Sequence, residues 1–453
     1  MTTLKKEPSR GLSRRDFLRV AGVAGGGIAL AACAPKATEA PAVATEAPAA
    51  CDWKKYAGES IRMVDFELTD EELTRGLITR FTEETGIEVV YERYEQSQAR
   101  QKIATEFTAG SPDLHLFFSS VPSDGAQYAK NGWYEDLMPY VNNPSLTSPD
   151  YDFTDFSAQA IGSLTKDGKL VAMPILLDCF GIWYLRDLFK EKGLALPTNF
   201  DELVETAKAL HDPDNNFYGI VARGAASSSV SVFSGYLHNF GADWFTDGLP
   251  SVNSPEAVAA YEYYGSLLRN YGPPGVVSMG SGDTYAVYGE GNIGMWVDGG
   301  SYLPFFKGTK VEGKVGFMPF PAGKLNTPTA YSYGIAMSSQ ANKKEAAWYL
   351  IQWITSKKIA VEMQMAGNGS GRNSAWTDPS VTSAADPEWI ASNLKTYEIG
   401  NWNWLPPVIS MPEARDIVGA PVVVSVEGGD VQAAADKANA DLTELAKRDG
   451  VIQ

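Results

Sequence analysis

Histidine and cysteine are scarce in this sequence, with three of each among 453 residues. His115, His211 and His238 lie far apart and form no recognisable metal-ligand motif, so metal binding and histidine-based acid–base catalysis have little support. We expect neither a metal nor a cofactor. Cys51 and Cys179 are expected to remain free thiols, because Cys51 ends a polar segment and Cys179 lies in an apolar one.

A hydrophobic run long enough to cross a membrane is also missing. The apolar stretch at residues 20–32 is well short of the roughly 20 residues that a spanning helix needs, and it follows a basic segment, as in an export signal. Ser-Arg-Arg-Asp-Phe-Leu at 13–18 fits the twin-arginine export pattern. Leu-Ala-Ala-Cys at 30–33 resembles the bacterial lipobox, in which a peptidase cleaves before the cysteine and the cysteine carries a lipid. We therefore expect residues 1–32 to be a signal peptide and Cys33 to be lipidated.

Aromatic residues are absent from residues 34–50, where Thr-Glu-Ala-Pro occurs at 38–41 and again at 45–48. A segment of this composition cannot bury enough apolar surface to fold. Residues 33–56 are therefore expected to form a disordered tether. The predicted location is the outer face of the cytoplasmic membrane, to which the lipid on Cys33 would anchor the exported protein.

Positive charge is in deficit. The sequence has 38 lysines and arginines against 55 aspartates and glutamates, for a net charge of −17. A chain this acidic does not track the phosphates of a nucleic acid, so we expect no nucleic-acid partner. Solubility outside the cytoplasm accounts for the acidic charge.

Beyond the tether, predicted strands alternate with predicted helices. The strands are residues 60–66, 87–94 and 114–118, and the helices lie at 69–86 and 99–109. Thr69 and Glu72 have the spacing of a capping box at the start of the first helix. This βαβαβ order calls for a parallel sheet flanked by helices, in which ligands bind at the carboxyl ends of the strands. Asp65, Glu67 and Ser119 are therefore candidate ligand contacts.

Later helices are also clearly delimited in the sequence. Ser254 precedes a proline at a predicted helix start, and a helix at 431–447 stops near Gly450. In the predicted helix at 342–356, Trp348 and Trp353 belong to an apolar surface that covers most of the circumference. We assign both tryptophans to the core.

Several segments, in their order along the chain, resemble the family-1 extracellular solute-binding proteins, which are the sugar receptors of ABC importers. They are ITRFTEETGIEVV (78–90), FTAGSPDL (107–114), AKNGWYEDLMPYV (129–141), KDGKLVAMPILLDCFGIWYLRDLFKEKGLALPTNFDELVETAKAL (166–210), SVNSPEAVAAYEYYGSLLRN (251–270), YGEGNIGMWVDGGSY (288–302), KVGFMPFPAG (314–323) and AYSYGIAMSSQANKKEAAWYLIQWITS (330–356). The resemblance covers nearly everything after Trp53.

This resemblance implies an α/β fold of the two-lobe, type II periplasmic-binding-protein kind. Each lobe would be a central, mostly parallel sheet flanked by helices, and the ligand would lie in the cleft between the lobes. The expected division is residues 57–174 plus 321–372 for lobe one and residues 175–320 plus 373–453 for lobe two.

Sugar recognition requires aromatic platforms for C–H faces and carboxylates or amides for hydroxyl groups. By the resemblance, Asp178 corresponds to a carboxylate that accepts hydrogen bonds from hydroxyls, and Trp244 to a variable aromatic of the cleft. After the strand at 293–297 many relatives carry a stacking tryptophan, whereas this chain has Asp298-Gly-Gly-Ser-Tyr302, so Tyr302 is expected to take that role or the ligand is smaller. The remaining candidates are Tyr331, Tyr333, Arg372, Trp402 and Trp404.

The implied function is capture of a carbohydrate outside the cytoplasmic membrane and delivery to the permease of an ABC transporter, by a monomer without catalysis. The alternatives within the family are a polyol or a sugar phosphate, for which Arg223 and Arg372 would supply positive charge. A surface glycoside hydrolase is an alternative from another class, with Asp178 opposite Glu67 or Asp298 as its carboxylates. A structural surface lipoprotein is the third.

Overall fold

A mixed β-sheet flanked by helices organises the chain in the computed structural model, which describes residues 51–67 and 69–453. The predicted signal peptide, the lipidation site at Cys33 and the tether up to residue 50 lie outside the described residues. Within them, no helix has the length and apolar character that crossing a membrane requires.

The strands are β1 (Ser60–Phe66), β2 (Glu88–Tyr94), β3 (Leu116–Ser119), β4 (Thr165–Lys166), β5 (Lys169–Leu170), β6 (Ala172–Leu185), β7 (Tyr218–Val221), β8 (Phe245–Thr246), β9 (Leu249–Pro250), β10 (Ile293–Gly299), β11 (Val315–Pro319) and β12 (Ala330–Met337). The α-helices are α1 (Glu71–Thr85), α2 (Gln96–Thr108), α3 (Val121–Lys130), α4 (Met138–Val141), α5 (Ala158–Ser163), α6 (Arg186–Lys192), α7 (Phe200–Leu210), α8 (Ala226–Asn239), α9 (Pro255–Tyr271), α10 (Ser281–Gly289), α11 (Lys344–Ile354), α12 (Lys357–Met365), α13 (Asn373–Thr377), α14 (Pro379–Ala384), α15 (Pro387–Ile399), α16 (Met411–Glu427) and α17 (Val431–Asp449). Short 3-10 helices occur at Pro149–Tyr151, Phe153–Asp155, Pro213–Asn215, Val276–Ser278 and Gly300–Phe306.

The predicted βαβαβ unit is confirmed. Strands β2 and β3 both pair with β1 in parallel, and α1 and α2 form the two crossovers. The capping prediction is wrong by one residue: Asp70, not Thr69, accepts the hydrogen bond of the Leu73 amide, at 2.8 Å. Thr69 instead shares a hydrogen bond with the Thr74 hydroxyl at 2.9 Å. Gly86 ends α1 in the left-handed conformation, with φ at 76°, as its position predicts.

Strand β6 connects the two ends of the sheet. Its 14 residues are buried except at the last position, as expected for a nearly continuous apolar sequence in the middle of a sheet. From Ala172 to Cys179 it pairs with β12, which in turn pairs with β3. From Phe180 onward it pairs with β10 and β11, and β7 pairs with β10. Asp178 therefore lies where β6 passes from one group of strands to the other.

The buried apolar residues form two clusters. One takes its members from residues 61–176 and 335–363 and surrounds the strands next to β1. The other takes nearly all of its members from residue 177 onward and surrounds β7, β10 and β11. This division of the core supports the two-lobe assignment, and the lobe boundaries predicted from sequence remain a proposal.

Several smaller predictions are confirmed by the packing. Trp348 and Trp353 are both buried in the first of these clusters. Within the described residues, Cys51 and Cys179 are free thiols. The Ser254 hydroxyl caps α9, and α17 ends at Gly450 with φ at 73°.

Candidate functional site

A cavity of about 720 Å³ opens where the two groups of strands meet. Its wall is formed by side chains that follow β1 and β3, by α2 and α3, by the middle of β6 and the first half of β12, and by the first two turns of α8 and α16. The carboxyl ends of parallel strands contribute, as expected for ligand sites in α/β sheets. Among the predicted site residues, the wall includes Glu67, Asp178, Tyr302, Tyr331, Tyr333 and Trp404.

Asp178 is held by a full set of hydrogen bonds. One carboxylate oxygen accepts the amides of Cys179 at 2.8 Å and Ser301 at 3.1 Å. The other accepts the hydroxyls of Ser301 at 2.6 Å and Tyr331 at 2.7 Å. Burial raises the pKa of Asp178, and these hydrogen bonds oppose that rise. Asp178 thereby ties β6 to β12 and to the segment after β10.

The backbone next to Asp178 has no room for a side chain. A Cβ atom at Gly299 would lie 2.5 Å from the nearer carboxylate oxygen of Asp178. The glycine is therefore required by close approach, since its φ of −62° is open to any residue. This contact explains why the chain has glycine where β10 ends.

Arg223, which lines the cavity, forms a bidentate ion pair with Asp298, which lies behind the wall. Arg223 Nε and Nη2 donate to the two carboxylate oxygens of Asp298 at 2.8 and 2.6 Å. Burial alone would lower the pKa of Arg223, but the Asp298 charge outweighs it and the pKa is raised. Asp298 has no exposed surface and does not line the cavity, so the prediction of Asp298 as a cavity residue is wrong. Its partner Arg223 lines the wall instead.

A second arginine–carboxylate pair, missed at the sequence level, lies on the opposite part of the wall. Arg100 in α2 donates to Asp124 in α3 at 2.7 Å, and its guanidinium lies 4.9 Å from the centre of the Phe66 ring. Asp124 also accepts the amide of Ser120 at 2.8 Å. Because α2 and α3 follow different strands, no local pattern indicated that these two side chains would meet.

Aromatic rings supply the apolar part of the wall. Tyr331 and Tyr333 alternate with buried residues of β12, and Trp404 lies 5.9 Å from Tyr331 between ring centres. Tyr302 hydrogen bonds with Ser281, and burial raises the pKa of Tyr302 to about 12. Phe305, also missed at the sequence level, lines the cavity with 47% of its surface exposed. Such faces suit the C–H surfaces of a carbon chain or a sugar ring.

Arg415, in the second turn of α16, is the third arginine of the wall and was also missed. Its Nε donates to the Ser227 carbonyl at 3.0 Å and its Nη2 to the Ser231 hydroxyl at 2.7 Å. The predicted positive charges for this region were Arg223 and Arg372. No local sequence signal indicated Arg415, since an arginine in a helix most often lies on the exposed face.

Asp65 and Ser119 lie at the predicted strand ends but do not line the cavity, so their prediction as cavity residues is wrong. Asp65 is fully buried and accepts the Phe66 amide at 2.7 Å and the Tyr91 hydroxyl. Burial raises the pKa of Asp65 to about 7. Ser119 is buried and bonds with Tyr134 at 2.6 Å. The strand ends are at the expected place, but these side chains face the core.

Trp244 and Trp402 are buried in the core, and neither lines the cavity. The prediction that Trp244 is an exposed cleft aromatic is wrong, because its ring has no exposed surface. Its indole nitrogen donates to the Trp404 carbonyl at 2.7 Å, so Trp244 supports the loop that carries a cavity residue. Trp402 donates weakly to Tyr397, at 3.4 Å.

Arg372 was predicted to contact the ligand, but it also lies in the core and does not line the cavity. It is 1% exposed and donates to the carbonyls of Thr355 at 2.6 Å and Tyr151 at 2.7 Å. Its guanidinium lies 4.0 Å from the centre of the Phe156 ring. The side chain therefore holds the segment around Tyr151 against the residue that follows α11 from within the protein, and it does not line the cavity.

The chemistry available in the cavity is hydrogen bonding to a polar solute. Arginines, tyrosines and serines offer donors, carboxylates offer acceptors, and aromatic faces bury carbon. No cluster of metal-ligating side chains was found among the described residues. The carboxylate pairs imagined for a glycoside hydrolase are poorly suited to catalysis, because Asp298 is buried in an ion pair and Asp178 accepts four protein hydrogen bonds.

The fold and this cavity define a two-lobe solute-binding protein. Residues 67–361 match the family of bacterial extracellular solute-binding proteins, and the chain belongs to that family. The resemblance seen in the sequence is confirmed, and with it the expectation of a binding protein of an ABC transporter.

Relatives with known ligands are similar over most of the chain. An erythritol/L-threitol-binding protein of Mycolicibacterium smegmatis is 28% identical over 375 residues, which cover 77% of this chain and 78% of that protein. A solute-binding protein of Agrobacterium radiobacter K84, solved with ribitol, is 30% identical with a TM-score of 0.77, covering 86% of this chain and 99% of that one. A solute-binding protein of Agrobacterium vitis S4, solved with D-mannitol, is 25% identical with a TM-score of 0.75 and the same coverage.

Proposed function

We propose that this protein captures a polyhydroxylated solute of the sugar and sugar-alcohol class outside the cytoplasm and delivers it to the permease of an ABC transporter. The observation that carries the proposal is the cavity wall, which combines aromatic faces with many hydroxyl, guanidinium and carboxylate groups. This combination matches a ligand with a carbon skeleton and a hydroxyl on nearly every carbon. The ligands named for the similar proteins belong to the same class.

Direct contacts to the solute are assigned to the predicted residues that line the wall, namely Glu67, Tyr302, Tyr331, Tyr333 and Trp404. Asp178 acts differently, because its lone pairs are already used by Ser301, Tyr331 and two amides. It holds the two sides of the cleft in register, and because it accepts the Tyr331 hydroxyl proton, the Tyr331 oxygen is left to accept a hydrogen bond from the solute.

Ligand binding would close lobe one, residues 57–174 plus 321–372, onto lobe two, residues 175–320 plus 373–453. Contacts from both lobes to one solute supply the free energy for closure, and the closed form is what a permease can distinguish from the empty receptor. The receptor would act as a monomer, since one chain carries both walls of the cavity.

Export by the twin-arginine route and lipidation at Cys33 complete the proposal. Replacing Arg14 and Arg15 together by lysine should keep the protein in the cytoplasm. Cys33→Ala should abolish incorporation of a labelled fatty acid and release the protein from membranes. Membrane attachment that survives Cys33→Ala would contradict the anchor.

The function is tested by thermal unfolding of the purified protein against sugars, sugar alcohols and their acids and phosphates, with amino acids as an unrelated class. A ligand at 100 times its dissociation constant should stabilise the folded state by about 2.7 kcal/mol. Trp404→Phe should reduce the ligand-induced rise in unfolding temperature. Arg448→Gln, which removes one partner of an exposed surface ion pair, should leave that rise unchanged. The proposal fails if the folded protein responds to no polyhydroxylated compound.

A further inference from the structure

Of the arginines that line the cavity, Arg415 is the one without an ion-pair partner among the described residues. Three arginines of the described chain line the wall. Arg100 is paired with Asp124 and Arg223 with Asp298, at 2.7 and 2.6 Å. Arg415 forms no ion pair with any carboxylate of residues 51–67 or 69–453, and both of its acceptors, in Ser227 and Ser231, are neutral.

Two hydrogen-bond donors at this place lack an acceptor. Within the part of the chain that the structure describes, Arg415 Nη1 donates to nothing. Trp404, only 5% exposed, lines the same cavity, and its indole N–H is buried without an acceptor among those residues. The Arg415 guanidinium lies 5.7 Å from the centre of the Trp404 ring. Of these two donors the indole N–H is the buried one, and a buried donor without an acceptor costs roughly 1–3 kcal/mol, which a ligand acceptor would recover.

The surroundings of Arg415 are electrostatically positive. Ser227 belongs to the first turn of α8, a helix that begins without a capping side chain, and the amino end of a helix carries a partial positive charge. Burial, followed by the positive charge of Arg223, lowers the pKa of Arg415 to about 10. An anion at this place would relieve both effects.

The acidic groups of the wall do not supply that anion. Asp124 is engaged by Arg100, and Asp178 accepts four hydrogen bonds from protein donors. Glu67 lines the cavity from the segment after β1 and is exposed, so water can solvate it. None of these carboxylates forms an ion pair with Arg415, whose acceptors among the described residues are neutral, so its positive charge is left for a ligand.

We propose that Arg415, with the Trp404 indole and the start of α8, forms an anion subsite, and that the solute is a polyhydroxylated molecule with one carboxylate or phosphate group. This inference rests on the proposed function and narrows its substrate class to sugar acids and sugar phosphates. The hydroxylated part of the solute occupies the aromatic and tyrosine-rich wall, and the anionic end lies against Arg415.

The test compares ligands that share one carbon skeleton and differ only at one end. Three sets are measured by titration calorimetry: erythritol, ribitol and mannitol, each with its aldonic acid and its terminal phosphate. We expect the acid or the phosphate of one set to bind at least about tenfold tighter than the neutral polyol, which corresponds to about 1.4 kcal/mol. The acid and phosphate arms identify which anion is used.

Variants then link the preference to Arg415. Arg415→Gln should weaken binding of the anion roughly tenfold to a hundredfold, because the hydrogen bond between the charged guanidinium and the anion is lost. The affinity for the neutral polyol should change far less, because that ligand has no charge to pair with Arg415. Arg415→Lys keeps the charge and should retain part of the preference. Arg448→Gln makes the same change of net charge at an exposed site and should leave every affinity unchanged. Thermal unfolding verifies that each variant is folded.

The outcomes separate the two proposals. If a neutral polyol binds as tightly as its acid and its phosphate, or if the anion preference survives Arg415→Gln, the anion subsite is overturned while the proposed function stands. If no member of the three sets binds, and no sugar raises the unfolding temperature of the folded protein, the anion subsite and the proposed function are both overturned.

Discussion

Asp298 and Arg223 are joined by two parallel hydrogen bonds, of 2.8 and 2.6 Å, in which both carboxylate oxygens of a fully buried aspartate are used. The arginine lies 5.5 Å from the centre of the Phe180 ring and forms part of the cavity wall. The carboxylate thus holds in place a side chain that the solute can touch.

Asp298→Asn should destabilise the protein by about 3–5 kcal/mol, because it leaves the Arg223 charge buried without its partner. It should also weaken solute binding, since Arg223 loses its fixed orientation. Chemical denaturation measures the first effect and calorimetry the second. The matched control is Glu413→Gln, which breaks an exposed pair with Arg448 and should cost at most about 1 kcal/mol. Equal costs for the two variants would contradict the buried pair.

Two tyrosines of β12 should respond differently to loss of their hydroxyl. Tyr331→Phe removes the donor that reaches Asp178 at 2.7 Å and leaves a buried carboxylate oxygen short of a partner, at a cost of about 1–3 kcal/mol in unfolding free energy. Tyr333 lines the same cavity, but its hydroxyl has no hydrogen bond within the described chain, so Tyr333→Phe should leave stability within about 0.5 kcal/mol. Urea denaturation of both variants tests this contrast, and a larger loss for Tyr333→Phe would refute it.

Asp65 should make the protein less stable as the pH rises. Burial raises the pKa of Asp65 from 3.8 to about 7, so between these values the folded state holds a proton that the unfolded state has released. The free energy of unfolding therefore falls as pH rises through this window, by at most about 1.4 kcal/mol for each pH unit from this group. Asp65→Asn should flatten that part of the profile.

The Asp65 profile is measured by thermal or urea unfolding from pH 4 to pH 8, as the difference between the variant and the natural protein, so that other titrating groups cancel. Asparagine keeps one oxygen to accept the Phe66 amide, and its NH2 group can donate to the Tyr91 oxygen, as a protonated carboxyl group would. A difference that does not vary with pH would show that Asp65 keeps an ordinary pKa.

Arg372→Lys should reduce stability without changing affinity. The guanidinium donates to three backbone carbonyls, those of Tyr151, Asp152 and Thr355, and a single ammonium group cannot reach all of them. We expect a loss of about 2 kcal/mol or more, as for other buried charge networks that are broken. The dissociation constant of the folded variant should match that of the natural protein. A weaker affinity at unchanged stability would show that Arg372 contributes to solute binding.

Local signals in the sequence account well for the elements around the cavity. The strand at 60–66 and the left-handed stop at Gly86 were predicted correctly, because both depend on residues within a few positions of each other. Trp348 was also assigned correctly to the core, since an apolar surface around most of a helix requires burial on all sides. Element bounds differed by a few residues: α2 is Gln96–Thr108 where 99–109 was predicted, and β3 is Leu116–Ser119 where 114–118 was predicted. The cap of α1 is Asp70, one residue after the predicted Thr69.

The site was predictable only in part. Tyr331, Tyr333 and Trp404 line the cavity as predicted, whereas Trp244 and Arg372 are buried elsewhere. Polarity and loop position cannot distinguish these cases, because a tryptophan or an arginine in a loop can be covered by elements that are distant in sequence. Trp244, for example, is buried against the loop that carries Trp404, which is far along the chain.

The sequence by itself determined the class of this protein, because the order of strands, helices and family segments depends on short stretches of residues that can be compared one by one. Tertiary structure alone decided which charges are free. Arg223 pairs with Asp298 and Arg100 with Asp124, in each case across different elements, whereas Arg415 has no ion-pair partner among the residues that the structure describes. Since the effect of a charge depends on what surrounds it in space, the balance of charge in the cavity becomes visible only once the chain is folded.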